Sequence, residues 1–291
     1  MTKTRVAVLM ACYNRKNKTL NCLSALYHQK DIDDVAISVY LVDDSCTDGT
    51  GEVVRRRYPD VIIIQGTGSL YWSAGMRIAF SEAVKFNYDY YLWLNDDTDF
   101  FDDTVRKLLD TSRLVEEFEG QAAIVAGSTR DRQTGAHTYG GRIRPKWWQP
   151  LTFQLLEPID VPRRCVTMNG NCVLVPREVV KKVGVISSAF TQMAGDFDYG
   201  LRAGRLGISC WIAPGYVGTC SSNPRPSYMD AELSYKERLR ALANPKEAPP
   251  PREWMTFAWR HAGFLWPVYW LRTLVRILCP RLYLLFRTAP G

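Results

Sequence analysis

Aspartates carry most of the chemistry available to this sequence, and their placement is more informative than their number. Asn95-Asp96-Asp97 directly follows Tyr90-Tyr91-Leu92-Trp93-Leu94, a short apolar run that reads as a buried strand. It precedes Asp102-Asp103 and the amphipathic stretch Thr104 to Val115, which reads as a helix with an acidic first turn. Two adjacent carboxylates at the end of a buried strand are electrostatically costly unless a cation or a donor-rich ligand meets them. In open α/β sheets that strand end is where ligands bind. The position therefore points to a hard divalent cation, held by few carboxylates and completed by a ligand's phosphates. Asp43-Asp44, Asp196 and Asp198 are further acidic sites at strand ends or helix starts.

The elements that must position these groups alternate. Arg5 to Cys12 reads as a buried strand, followed by Tyr13-Asn14-Arg15 and a helix near Lys18 to His28. Ser38 to Val42 is a second strand, leading into Asp43-Asp44-Ser45 and the turn Thr47-Asp48-Gly49-Thr50. A helix near Glu52 to Tyr58, a strand at Val61 to Gln65 and a helix over Ser73 to Phe86 precede the strand at Tyr90. This alternation predicts an α/β fold with a mostly parallel sheet covered on both faces. Further strands are expected at Ala122 to Ser128, Cys172 to Val175 and Ser209 to Ala213, with a short helix at Glu178 to Val183. Residues 129–165 read as irregular, and 221–251 as a loop and linker.

Composition narrows the classes. With 291 residues, 46% of them hydrophobic, the chain can bury a large core. Its eight cysteines form no CxxC pair and no signal peptide is recognised, so reduced thiols in the cytoplasm are expected. Only His28, His137 and His261 are available and none has ligand spacing, which argues against a structural zinc site. Of the net charge of +7, residues 252–291 contribute +5, six arginines against Glu253. The rest is close to neutral, which argues against a nucleic-acid-binding body. The division expected is therefore 1–250 as the main domain and 251–291 as a basic, aromatic helical segment. Arg272, Arg276 and Arg281 interrupt its apolar run too often for a transmembrane helix. Three readings stand for this segment: an interfacial helix on an anionic membrane surface, a helical pair packed on the domain, or a homodimer contact.

The order of the acidic sites resembles the family 2 inverting glycosyltransferases of GT-A fold, of the bacterial polysaccharide and rhamnosyltransferase-like kind. Ala11-Cys12-Tyr13-Asn14-Arg15 is similar to the family's opening strand and turn, and Val42-Asp43-Asp44-Ser45-Cys46-Thr47-Asp48-Gly49-Thr50 to its VDDGSTDGT signature. Leu94-Asn95-Asp96-Asp97-Thr98 resembles its LDADT form of the DxD motif, and Gly195-Asp196-Phe197-Asp198-Tyr199-Gly200-Leu201-Arg202 its EDxDLxLR motif. The resemblance covers roughly residues 5–220.

It implies a nucleoside diphosphate sugar donor, a glycan or lipid-linked acceptor, and Mn2+ or Mg2+ as cofactor. The basic, aromatic C-terminal segment and the cytoplasmic reading above lead to the further expectation of a peripheral place on the inner face of the plasma membrane. Asp43 would accept from the imino N–H of uracil or thymine, which favours a UDP- or dTDP-sugar, with a GDP-sugar as the alternative. Asp44 has a weaker claim to the same role, and one of the pair could instead cap the Thr47 turn. Asp97 would hold the metal on the donor diphosphate, with Asp96 either a second ligand or a ribose contact. Asp97-Thr98-Asp99 is an alternative register, set aside because Asp97 lies nearer the strand end. Asn95 stands where the family has an aspartate, and its amide could still bond a ribose hydroxyl. Asp196 would be the general base, although the family's preceding glutamate is Gly195 here; Asp198 reads as stabilising its helix start. Asn14, Gly75 and Arg77 would line the donor site, Gly75 by close backbone approach and Arg77 by facing phosphate. Trp72, Trp147 and Trp148 could stack on sugars or fill the core, and Asn169-Gly170-Asn171 could border the acceptor. Two other readings remain. A sugar nucleotidyltransferase would need a glycine-rich loop that the first strand's end lacks, and a non-catalytic scaffold would not need all the carboxylates.

Overall fold

The structure, a computed structural model, describes residues 3–279 apart from Arg225 and Ala231. Its first half is the expected alternation: β1 (Thr4–Cys12), α1 (Lys16–Tyr27), β2 (Val35–Asp43), α2 (Thr50–Arg57), β3 (Ile62–Gln65), α3 (Tyr71–Ala83) and β4 (Tyr90–Leu94). Then come β5 (Asp99–Phe100), α4 (Thr104–Glu119), β6 (Ile124–Arg130), β7 (His137–Tyr139), β8 (Gly141–Ile143), β9 (Gln154–Leu155), β10 (Arg163–Cys165) and β11 (Thr167–Met168). The chain continues through β12 (Cys172–Pro176), α5 (Arg177–Val183), α6 (Gly195–Arg205), β13 (Cys210–Thr219), α7 (Tyr235–Ala243), α8 (Pro251–His261) and α9 (Trp266–Leu278).

The main sheet runs β10-β13-β6-β12-β4-β1-β2-β3. Strands β4, β1, β2 and β3 are mutually parallel, and β12 enters antiparallel beside β4. The apolar runs in β1 and β2 are explained by burial on both faces. Ala7 and Leu9 pack with Met76 and Phe80 of α3, whereas Val6, Val8 and Met10 pack with Leu23 of α1 and Leu108 of α4.

Two expectations are corrected. Residues 129–165 are not irregular throughout: β8 and β9 join β11 in a small three-stranded sheet, while β7 and β10 extend the main one. These strands are two or three residues long, too short to leave an alternation in the sequence. Residues 221–251 are not all linker, since they contain α7. Ser234 and Glu237 cap it reciprocally, side chain to backbone in both directions.

Among the described residues after Pro250, α8 and α9 are helical as expected, and α8 packs against α6. Phe257, Ala258 and Ala262 share an apolar cluster with Phe190 and with Leu201 of α6. Among the described residues no helix is long and apolar enough to cross a membrane. Arg281 and Arg287 lie outside the described residues.

Candidate active site

Because β1, β2 and β4 are parallel, their C-terminal ends share one edge, and each ends in a chemically active loop. Cys12 pairs in register with Asp43, and Leu94 of β4 leads into Asn95-Asp96-Asp97. The antiparallel β12 starts at the same edge, with Cys172 opposite Leu94, so Asn169-Gly170-Asn171 also lies there.

Asp96 and Asp97 converge on one guanidinium. Arg15 Nη1 donates to Asp96 Oδ1 at 3.0 Å and to Asp97 Oδ2 at 2.9 Å. Asp96 is buried and also accepts from Thr19 Oγ1 at 3.3 Å, whereas Asp97 is partly exposed. Burial pushes the Asp96 carboxyl up to about 6; Arg15 opposes this and the neighbouring charge of Asp97 adds to it. Two carboxylates sharing one half-exposed cation form a hard oxygen donor set of the kind Mg2+ or Mn2+ takes. Lys18 and Arg132 line the cleft beside Asp97.

The two aspartates of Asp43-Asp44 do different work. Asp43 Oδ1 takes the Cys46 N–H at 2.8 Å. A Cβ at Gly51 would collide with Asp43 Oδ2, so the glycine leaves room for the carboxylate. Asp44 instead shapes the loop after β3: Oδ1 accepts from Gly68 N–H at 2.7 Å and Oδ2 from Leu70 N–H at 2.9 Å. Asn14 ties two loops together, its Oδ1 accepting from Thr47 N–H at 2.7 Å.

Asp196 opens α6 and is only partly exposed. Its Oδ2 accepts from Gly170 N–H at 2.9 Å and its Oδ1 from Phe197 N–H at 2.8 Å. Burial raises its pKa above the ordinary carboxylate value, against the opposing pull of those two N–H groups and of Arg142. Arg142 is held nearby by its Nε bond to Asn169 Oδ1 at 3.0 Å. The departure at Gly195 has a steric cause. A Cβ there would lie 2.5 Å from Ser73 Oγ, so the family's glutamate does not fit where α6 meets α3. Asp198 is fully buried and faces away from that chemistry, bonded to Arg202, Arg260 and His261.

Trp72 connects the two ends of the site. Its indole N–H donates to Asn95 Oδ1 at 2.6 Å, and its ring lies against Gly170, where any Cβ would collide with it. One part of the site thus leans on the other: Asn95 holds Trp72, and Trp72 packs on the residue whose N–H holds Asp196.

Two expected donor contacts are corrected. Gly75 faces the core, where a Cβ would lie 2.9 Å from that of Ala11, so it serves helix–strand packing. Arg77 Nη1 donates to the carbonyls of Ser187 and Phe190 at 3.3 and 3.2 Å, because burial gives it backbone partners instead of a phosphate. Trp147 and Trp148 are exposed and packed edge to face on each other. Sequence reasoning assigned no role to Arg15 or Arg142. Arg15 sat inside a quoted motif, but Arg142 left no signal.

Comparison with known proteins agrees with this geometry. The chain is 24% identical over 201 residues to the N-acetylglucosaminyl-diphospho-decaprenol L-rhamnosyltransferase of Mycobacterium tuberculosis, in strains CDC 1551 / Oshkosh and H37Rv. That match spans 61% of this chain and 63% of the relative's length. The family model of glycosyl transferase family 2 matches residues 7–184, which contain Asp43, Asp44, Asp96 and Asp97 and end before Asp196. The chain is a member of glycosyl transferase family 2.

Proposed function

We propose that this enzyme is an inverting glycosyltransferase that moves a sugar from a UDP- or dTDP-sugar to a hydroxyl of a lipid-linked glycan in a single displacement. The observation that carries the reading is the gathering of Asp43, Asp97 and the Gly170-held Asp196 at one sheet edge. Asp43 accepts the imino N–H of the pyrimidine, since a carboxylate can only accept. Asp44 acts one step back, by holding the 66–70 loop that closes over the donor. Asp97, with Asp96, holds the family's divalent cation, which when bound neutralises charge on the departing nucleoside diphosphate. Arg15, half exposed, is free to turn from the carboxylates to a phosphate. Asp196 takes the acceptor's proton. Its two N–H bonds fix its direction, and its raised pKa makes it a stronger base than an ordinary carboxylate.

The relative's acceptor is a diphospho-decaprenol, which supports a lipid-linked acceptor here. Phe264, Val268, Leu271, Leu274 and Leu278 are exposed at helical spacing, a stripe suited to the headgroup boundary of a membrane. Electrostatic attraction contributes less than the arginine count implies. Arg260 is paired with Asp198 and Arg276 bonds the Pro249 carbonyl, which leaves Arg252 and Arg272 exposed among the described arginines of this segment.

Replacing Asp196 by Asn should lower kcat by about 10²–10⁴ while donor affinity, read by calorimetry, is retained. Near-normal turnover would refute the base assignment. In a thermal-shift panel, a UDP- or dTDP-sugar at 100 times its Kd should add about 2.7 kcal/mol, and the gain should grow with Mn2+.

A further inference from the structure

We propose that Cys12, Cys46 and Asp43 form a binding site for a soft divalent cation, zinc being the type case, separate from the carboxylate pair at Asp96-Asp97. One ligand atom from each of the three residues lies within 4.8 Å of the others. The two sulfurs are 3.8 Å apart. Tetrahedral zinc with Zn–S bonds of about 2.3 Å places its thiolates about 3.8 Å apart, so the pair already stands at coordination distance. A disulfide would require about 2.05 Å.

The surroundings are those of a ligand set held in place. Cys12 and Asp43 are register partners on adjacent parallel strands, which fixes their spacing. Ser45, at φ 54°, turns the chain so that Cys46 comes back over the strand ends, and Asp43 Oδ1 secures the Cys46 N–H. The Asn14 N–H donates to Cys46 Sγ at 3.2 Å, an outer bond of the kind that orients and stabilises a metal thiolate. Cys12 is buried and Cys46 is partly exposed, so a cation enters past Cys46. Three protein ligands leave the fourth tetrahedral position to water or to a bound molecule. Thiolates select zinc-like ions, whereas the all-oxygen pair at Asp96-Asp97 selects Mg2+ or Mn2+. Binding converts two thiols to thiolates and releases their two protons to solvent.

If Asp43 reads the donor's base, as proposed above, the cation and the donor exclude one another, and zinc is a competitive inhibitor of this enzyme. The test is a titration of the reduced full-length chain with Co2+ in nucleotide-free buffer. One equivalent should produce a thiolate-to-cobalt charge-transfer band that Zn2+ abolishes by displacement. Cys46→Ser should remove the band, and Cys279→Ser, which alters an exposed cysteine outside the cluster, should keep it. Circular dichroism verifies that each variant is folded, and Cys12→Ser provides a second ligand loss. No band in the wild type, a band that survives Cys46→Ser, or a Cys12–Cys46 disulfide in place of metal uptake would overturn the proposal. Expulsion of Co2+ by UDP supports the overlap. A band indifferent to every nucleotide that binds counts against the base reading of Asp43 and leaves the metal site standing.

Discussion

Replacing Asp198 by Ala should loosen α8 from α6. Asp198 is fully buried, and its carboxylate accepts from Arg202 Nε at 2.7 Å, Arg260 Nη1 at 3.0 Å and His261 Nε2 at 2.9 Å. Breaking a buried ion pair from one side costs about 3–5 kcal/mol, because the other charge stays behind unpaired. The lower end applies here. Arg202 keeps the carbonyls of Val183 and Val185, Arg260 keeps Ser187 Oγ, and His261 Nδ1 keeps Arg205. A loss of about 3 kcal/mol should lower Tm by about 6 °C, taking about 2 °C per kcal/mol for a chain of this size. Differential scanning calorimetry measures it, and limited proteolysis between α7 and α8 reports release of the segment. An unchanged Tm with no new cleavage would refute the idea that this cluster joins α8 to α6.

The same cluster sets an acid limit. Burial pushes the Asp198 carboxyl up, but His261, Arg202 and Arg260 outweigh it and hold the pKa below the ordinary 3.8. Its stabilising contribution is therefore complete above 3.8 and is lost as pH falls through the depressed value. Burial, helped by Arg205 and Arg260, also holds His261 below its ordinary 6.5 despite Asp198. Below 6.5 the unfolded chain takes that proton first, so stability declines with acidification from there and is level above it. His261→Gln should flatten the decline below 6.5, as read by Tm against pH.

Gly195→Ala should lower kcat at least tenfold by pushing the first turn of α6 off Ser73, and adding Ser73→Gly should restore part of it. Asp44→Ala frees the Gly68 and Leu70 N–H groups and should raise donor KM with little change in kcat, measured by initial rates over donor concentration. The acidic limb of kcat/KM should lie above the ordinary carboxylate range because Asp196 is raised by burial. Arg142→Gln, by removing an opposing cation, should move that limb further up.

The parallel half of the sheet was legible because burial on both faces writes continuous apolar runs such as VAVLM in β1, and because its motifs are contiguous. Asp96 and Asp97 fell at the strand end for the same reason. The link from Asp198 to Arg260 and His261 was not legible, since it spans 62 and 63 residues and no local pattern encodes it. Gly75 and Arg77 were placed in the donor site although α3 turns them to the core and to α5–α6 loop carbonyls. A glycine and an arginine on one helix carry no sign of which side they face. The capping pair Ser234–Glu237 was readable and marks α7 within a stretch otherwise rich in loop formers.

Backbone strain gives an independent view of the same edge. Of the five non-glycine residues with positive φ among the described residues, four are Asn14, Ser45, Tyr71 and Ala194. Each directly precedes a segment that the site uses: Arg15, Cys46, Trp72 and Gly195-Asp196. Left-handed conformation costs such residues of order 1–2 kcal/mol each, and it persists only where surrounding structure enforces it. Here the enforcing contacts are visible. The Asn14 amide oxygen holds Thr47, Ser45 Oγ donates to the Gly66 carbonyl, and the backbone after Tyr71 is fixed by Gln192 through the Trp72 N–H. Gln192 lies two residues before Ala194, so the strained turn that presents Trp72 to Asn95 is tied to the one that presents Asp196. The Asn95 side and the Asp196 side of the sheet edge are therefore braced through one set of contacts, and a change at either turn should be felt at the other.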